Sequence, residues 1–320
     1  MARIGNTRQA FIETLMEIAR QDPRTVLVCA DSILVIRARP FAQEFPDRFI
    51  DVGIAEQNAV ALAAGMASCG LVPYVATYAG FITMRACEQV RTFVAYPGLN
   101  VRFIGANGGI AAGEREGVTH QFFEDLGIMR TIPGITVVAP ADQQQVKEAT
   151  TAIHKVQGPA YMRIGSGRDP IVECEYRPFE LGKIRILADF GRDVAIFANG
   201  PILNRAICAA ERLRQEGIKA VVADVHTLRP IDRDGILELI RQTRSAVTVE
   251  DHNIIGGLGS AIAELACQDC PVPVMRLGLP DTYPRSGEPE ALWDHYDMGV
   301  DDIERAARHA IALRNTNDDR

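Results

Sequence analysis

The sequence predicts an α/β protein of two consecutive open-sheet domains, the second smaller than the first. Three observations carry that prediction. Short continuous apolar runs alternate with helical patterns as far as Ile164, the pattern of parallel strands covered on both faces. Composition then shifts over Gly165–Lys183 to Gly, Pro and charge, with little apolar periodicity. Beyond this the alternation resumes on a smaller scale. The expected division is residues 1–168, a linker at 169–188, and residues 189–320.

The first domain opens with a helix over Thr7–Arg20, whose Phe11, Leu15 and Ile18 recur on one face. Strands are expected at Thr25–Ala30, Val72–Ala76, Val101–Gly105, Ile135–Val138 and Ala160–Ile164. Helices fill the gaps at Gln57–Cys69, Ile82–Ala95 and Asp142–Val156. The last begins with Asp142 as N-cap and Gln145 three residues on, a capping-box spacing. In the second domain the strands fall at Val194–Ala198, Lys219–Val225, Ala246–Val249 and Val272–Leu277. Helices are expected at Ile202–Glu216, Arg233–Arg241 and Gly257–Cys267, and the amphipathic tail Val300–Leu313 docks as a closing helix.

Composition narrows the function classes. A chain of 320 residues, 47% hydrophobic and 23% charged, can bury two substantial cores. Its net charge of −7 argues against a nucleic-acid surface, which needs clustered Lys and Arg. No apolar run has the length of a membrane span, and Met1–Ala10 has no signal-peptide core. Seven scattered cysteines suggest no disulfide framework, and a reducing cytoplasm is the expected compartment. Cys267-Gln-Asp-Cys270 has no second pair to complete a zinc site and reads as two helix-end thiols, so no metal site is expected on this chain.

Ligands of open α/β sheets bind beyond the carboxyl ends of the strands, so three loops matter. The first carries Asp31-Ser32 and the second Tyr78-Ala-Gly-Phe81. The third, Gly105–Gln121, is Gly-rich and holds Glu114, Glu116, Thr119, His120 and Gln121. Its Gly108 and Gly113 have the spacing of a phosphate loop, but Glu114-Arg115 follows where that loop needs Lys and Ser/Thr. Two acids and an imidazole fit a polar active-site wall, or an ordinary flexible loop. His120 is placed to exchange protons with substrate oxygens, or simply faces solvent. Tyr78 and Phe81 are core aromatics or a stacking surface for a flat heterocycle.

Glu56 stands out among the acids. It lies in Asp51-Val-Gly-Ile-Ala-Glu56-Gln57-Asn58, between a strand-like run and a small-residue helix. An acid there is either a charge–dipole contact or cap, or a poorly solvated carboxyl able to share a proton with a ring nitrogen.

Five stretches in order make the second choice specific: Ala30-Asp31, Gly53-Ile-Ala-Glu56-Gln57, Thr77-Tyr78-Ala-Gly-Phe81, Gly117-Val-Thr-His120-Gln121 and Ala139-Pro-Ala-Asp142. Together they resemble transketolase, in particular its pyrimidine-binding domain followed by its C-terminal domain. His226-Thr-Leu-Arg-Pro-Ile-Asp232 and Glu250-Asp-His252 with Gly256-Gly-Leu-Gly259 resemble that C-terminal domain. The resemblance implies thiamine diphosphate as cofactor. Glu56 would bond its aminopyrimidine nitrogen and promote ylid formation, Phe81 would stack on the ring with Tyr78 nearby, and Asp31 would lie in the cofactor cleft near a subunit interface. His120 would bond donor oxygens, Glu116 would sense a substrate hydroxyl, and Arg8 would hold the phosphate end of a sugar, with Arg163 in support.

Departures from the family pattern are informative. No Gly-Asp-Gly occurs in the 320 residues, so the half that binds the diphosphate and its Mg²⁺ or Ca²⁺ is expected on a separate N-terminal subunit, in an α₂β₂ assembly. Glu116 replaces the usual Asp with one extra loop residue, while Val35, Asn107 and Ser166 stand where Ser, His and Arg are typical. The substrate expected is a sugar or sugar phosphate, with the usual pentose phosphates in doubt. The alternatives are the β subunit of a 2-oxo acid dehydrogenase E1 component, 1-deoxyxylulose-5-phosphate synthase, which carries both halves in one chain, and a non-catalytic interaction subunit.

Overall fold

The computed structural model describes residues 3–111, 117–172 and 178–318. In the first half the elements run β1 (Ile4–Gly5), α1 (Thr7–Gln21), β2 (Thr25–Cys29), α2 (Arg39–Glu44), β3 (Phe49–Asp51), α3 (Glu56–Ser68) and β4 (Val72–Tyr78). There follow α4 (Cys87–Gln89), β5 (Arg102–Ala106), α5 (Asp125–Thr131), β6 (Thr136–Val138), α6 (Gln143–His154), β7 (Ala160–Arg163) and β8 (Asp169–Pro170). The second half holds β9 (Arg185–Asp189), β10 (Val194–Asn199), α7 (Leu203–Gln215), β11 (Ala220–Asp224), β12 (Thr227–Arg229) and α8 (Arg233–Thr243). It ends with β13 (Ala246–Asn253), α9 (Leu258–Asp269), β14 (Val274–Leu279), α10 (Pro289–His295) and α11 (Val300–Asp318).

Two large open sheets result, as the alternation predicted, beside a two-stranded pair of β1 and β8. The first has seven strands in the order β12-β6-β7-β5-β4-β2-β3 and the second five in the order β14-β13-β10-β11-β9. Successive side chains of a strand point to opposite faces, and the cores divide accordingly. Leu27, Tyr74, Ile104 and Met162 pack with α1 and α6 on one face of the first sheet. Val28, Val75, Phe103 and Tyr161 pack with α3 and α5 on the other. In the second sheet Ile196 and Val222 meet α7 and α11, while Phe197 and Val221 meet α8 and α9. The Asp142 cap forms as expected, its Oδ1 accepting from the Gln145 N–H at 2.9 Å.

Three features differ from the sequence reading. Residues 81–95 are not one α-helix: two π-helical turns, Phe81–Arg85 and Val90–Ala95, flank α4. The Ala86 N–H accordingly donates to the Phe81 carbonyl five residues back, at 3.3 Å. The expected linker contains structure, since β8 pairs with β1 and β9 forms the antiparallel edge of the second sheet. The third difference is topological. β12 comes from the second half of the chain but joins the first sheet, antiparallel to β6 with Thr227 opposite Val138.

β12 and a buried polar seam lock the domains together. The guanidinium of Arg163, at the end of β7, is 5% exposed; it donates to both carboxylate oxygens of Asp125 and, at 2.8 Å, to the Asp251 carbonyl of the second domain. The Tyr161 hydroxyl donates to the same carboxylate. Burial alone would lift the Asp125 carboxyl, but the charge and hydrogen bonds of Arg163 prevail and hold it below the usual range. Nearby, the Gly127 N–H donates to His252 Nε2 at 3.1 Å and the Asn253 N–H to the Phe123 carbonyl at 2.8 Å.

Candidate active site

The strand order sets which predicted residues meet. Along the carboxyl edge of the first sheet the loops follow in the order of β3, β2, β4, β5 and β7, which lines up the Glu56 loop, Asp31, Tyr78, Asn107 and Gly165. Asp31 and the Glu56 loop are joined through Asp51, whose Oδ1 accepts from the Asp31 N–H at 2.9 Å and the Gly53 N–H at 3.0 Å. Asp31 itself is exposed, with a φ of 51° that few non-glycine residues adopt.

Glu56 is the first residue of α3, one position earlier than expected, and is 4% exposed. It is not the N-cap. Ala55 holds that position without a side-chain cap, and the Glu56 carboxylate instead accepts from Arg85 Nη1 at 2.8 Å. Arg85 is a site residue that the sequence reading missed. Its signal was local: it follows Phe81 by four residues, the spacing that brings helical side chains together. Its Cζ lies over the Phe81 ring, 3.8 Å from the centroid.

Phe81 anchors an aromatic cluster. Tyr78 meets it at 5.3 Å between centroids, Phe122 at 5.2 Å and His120 at 5.6 Å, all at steep interplanar angles. His120 also meets Tyr78 at 5.0 Å. The half-buried imidazole is therefore part of the cluster. It sits on the short 3₁₀ turn Val118–His120, with Thr119 Oγ1 3.0 Å from its Nδ1. Phe122, a second missed residue, explains Gly80: a Cβ there would lie 2.0 Å from Phe122 Cδ1. Buried Gln121 ties the turn down by donating to the carbonyls of Ile110 and Arg285.

Two hollows border this cluster. One, of about 440 Å³, is lined by Phe81, Met84, Phe122 and Tyr283, the last supplied by the second domain. The other, of about 480 Å³, is lined by Ile54, Glu56 and Asn58. Arg85 lines both. Their size suits a flat heterocycle.

The expected sugar-binding residues fare differently. Arg8, in the first turn of α1, donates to the Gly165 carbonyl at 3.1 Å and to Asn107 Oδ1, so it stands further along the same edge, at the ends of β5 and β7. Arg163 is engaged elsewhere: its guanidinium donates to Asp125 and to the Asp251 carbonyl inside the domain seam. Glu114 and Glu116 lie outside the described residues. Cys267 and Cys270 lie in the last turn and at the C-cap of α9. Among the described residues no group of three or more His, Cys, Asp or Glu could hold a metal ion.

A buried carboxylate and an aromatic face, joined through Arg85 at the carboxyl edge of the sheet, form an arrangement into which a planar nitrogen heterocycle would fit. The chain belongs to the transketolase family. Family models described as the transketolase pyrimidine binding domain and the transketolase C-terminal domain match residues 5–167 and 182–303. Relatives that the chain matches over nearly their whole length are themselves transketolase subunits. It is 39% identical over 308 residues to the 6-deoxy-6-sulfo-D-fructose transketolase subunit SqwH of Clostridium sp. (strain MSTE9), covering 96% of this chain and 95% of that one. It is 36% identical over 301 residues to one of the subunits of an apulose-4-phosphate transketolase from Phocaeicola vulgatus, covering 94% and 96%. A solved structure described as a split gene transketolase, inactive β4 tetramer, superposes with a TM-score of 0.88 at 37% identity, over 97% of this chain and 99% of that one. Transketolases depend on thiamine diphosphate.

Proposed function

We propose that this chain is the C-terminal subunit of a two-chain transketolase that moves a two-carbon ketol unit from a ketose to an aldose, free or phosphorylated. A separate N-terminal subunit would hold the diphosphate and its Mg²⁺ or Ca²⁺, in an α₂β₂ assembly in the cytoplasm. Within this chain the pyrimidine-binding unit is residues 1–168 and the C-terminal unit 189–320. Supporting the partner is the absence of Gly-Asp-Gly from the 320 residues, together with relatives of matching length that are themselves subunits. Among the described residues no helix is long and apolar enough to cross a membrane.

The observation that carries the reading is the pairing of Glu56 with a planar N–H donor lying over Phe81. An aminopyrimidine offers the same two things, a flat face and N–H groups, so these residues fit the ring end of the cofactor. When bound, thiamine diphosphate supplies the nucleophilic carbon and electron sink needed to cleave a carbon–carbon bond beside a ketose carbonyl. Glu56 would hold a proton shared with the ring nitrogen, shielded from water by burial. Phe81 would fix the ring plane, with Tyr78 and Phe122 bracing Phe81. His120 would bond oxygens of the sugar, its own orientation set by Thr119 and Tyr78. Asp31 would border the cofactor cleft beside the Glu56 loop. Arg8 and Asn107 would meet the far end of the sugar, and Glu116 one of its hydroxyls.

The test is Glu56→Gln in the complex with the N-terminal subunit. Ketol transfer from a ketose donor should fall at least about a hundredfold, as expected for loss of a positioned proton-transfer group, while the complex still assembles by size-exclusion chromatography. Undiminished transfer removes Glu56 from its role. Decarboxylation of 2-oxo acids without ketol transfer by the wild-type complex overturns the transketolase assignment itself.

A further inference from the structure

Arg85 makes two contacts that the proposed cofactor ring also needs. Its guanidinium donates to Glu56 at 2.8 Å and covers the Phe81 face at 3.8 Å. Among the described residues no aromatic neighbour lies flat on Phe81; the rings of Tyr78, His120 and Phe122 all meet it at interplanar angles of 61° or more. Arg85 also lines both hollows, one holding Phe81 and the other Glu56. A ring that stacks on Phe81 while bonding Glu56 must occupy both hollows at once. Such a ring would take the place that the guanidinium now holds between Glu56 and Phe81.

We infer that Arg85 is a displaceable stand-in for the aminopyrimidine, a plug that holds Glu56 and Phe81 in their working arrangement and must swing out as the cofactor enters. This rests on the proposed thiamine chemistry and adds a competitive step to it. The physical match is close. A guanidinium is planar, cationic and rich in N–H donors, so it can pair with a carboxylate and lie over an aromatic face at once. Burying Glu56 without any partner would be costly, and the plug supplies one until the ring does.

The local structure permits the movement. Glu56's side chain is 5% exposed whereas that of Arg85 is 50% exposed, so the arginine has solvent to move into. Its backbone stays anchored, since Gln57 Nε2 donates to the Arg85 carbonyl at 3.0 Å. The π-helical turn matters here too, because it carries Phe81 and Arg85 as its first and last residues. One turn of chain thus presents both the stacking face and the group that covers it.

The experiment titrates the full chain alone with thiamine, followed by ligand-observed NMR, in wild type, Glu56→Gln, Arg85→Ala, Arg85→Lys and the double variant Arg85→Ala/Glu56→Gln. Removing a competing ion pair and cation–π contact should tighten thiamine binding in Arg85→Ala on the order of tenfold. Arg85→Lys, which keeps the charge but not the planar fork, should fall between it and wild type. The double variant should lose the gain. Thermal denaturation confirms that each variant folds, and Arg85→Lys carries the test if the alanine variant does not. Equal or weaker binding by Arg85→Ala overturns the plug. If the ring then still binds wild type in a Glu56-dependent manner, the cofactor assignment stands without it. If no chain binds thiamine, both fall.

Discussion

Asp125→Asn leaves the Arg163 guanidinium buried in the domain seam without its counter-charge. The Asp125 carboxylate is fully buried and accepts from Arg163 Nε at 2.9 Å, from Nη2, and from the Tyr161 hydroxyl. Asparagine preserves the shape but offers one acceptor oxygen and no charge. At an effective dielectric constant of about 20, unit charges about 4 Å apart attract by about 4 kcal/mol. Breaking a buried pair from one side costs about 3–5 kcal/mol for the same reason. Urea denaturation of the full chain should show a loss of that size. Arg163→Met alone should be comparably destabilised, through the Asp125 charge it strands. The double variant Asp125→Leu/Arg163→Met should recover much of the loss, because neither charge remains to be buried. Additive losses in the double variant would refute the argument. So would an Arg163→Met enzyme of normal stability with a raised KM for sugar, which would return Arg163 to the substrate site.

Gly80→Ala places a methyl group 2.0 Å from Phe122 and should displace that ring, costing about 1–3 kcal/mol of stability by overpacking and loosening the cluster around His120; an unchanged melting temperature would show the contact to be soft. His226, stacked on Phe179 at 4.1 Å, is pushed down to about 3 by burial, with the charge of Arg185 adding to it. The unfolded chain takes up this proton as pH falls through about 6.5. The folded chain does so only near its lower value, so the stability is present above the unfolded value and is lost on acidification. His226→Gln should therefore gain about 2 kcal/mol relative to wild type between pH 7 and pH 5; a difference that does not change with pH would count against a buried neutral imidazole.

Strands of the parallel sheets were legible because burial on both faces makes each a continuous apolar run, as in Thr25–Cys29 and Val194–Asn199. The site was legible in its separate parts, Glu56, Phe81, Tyr78 and His120, but not in how they join. Arg85 meets Glu56 because the loop after β4 reaches across the end of β2 to the loop after β3, and strand order is not written in local sequence. The π-helical turns escaped because Ile82, Ala86, Val90 and Val94 recur at a spacing of four, which an ordinary helix also shows. The engagement of Arg163 was not legible because its acid partner lies on α5, far away in the chain. β12 was too short, at three residues, to show any period.

That short strand has a consequence for how the protein can be made and cut. The ladder of β6 is closed on one side by β7 and on the other by β12. During synthesis the first sheet therefore waits, with one rim open, until residues 227–229 have left the ribosome. A fragment ending at residue 168 would keep that rim permanently, as a template for pairing with other molecules. Although some relatives divide transketolase into subunits, the border between these two domains is no place for a further division.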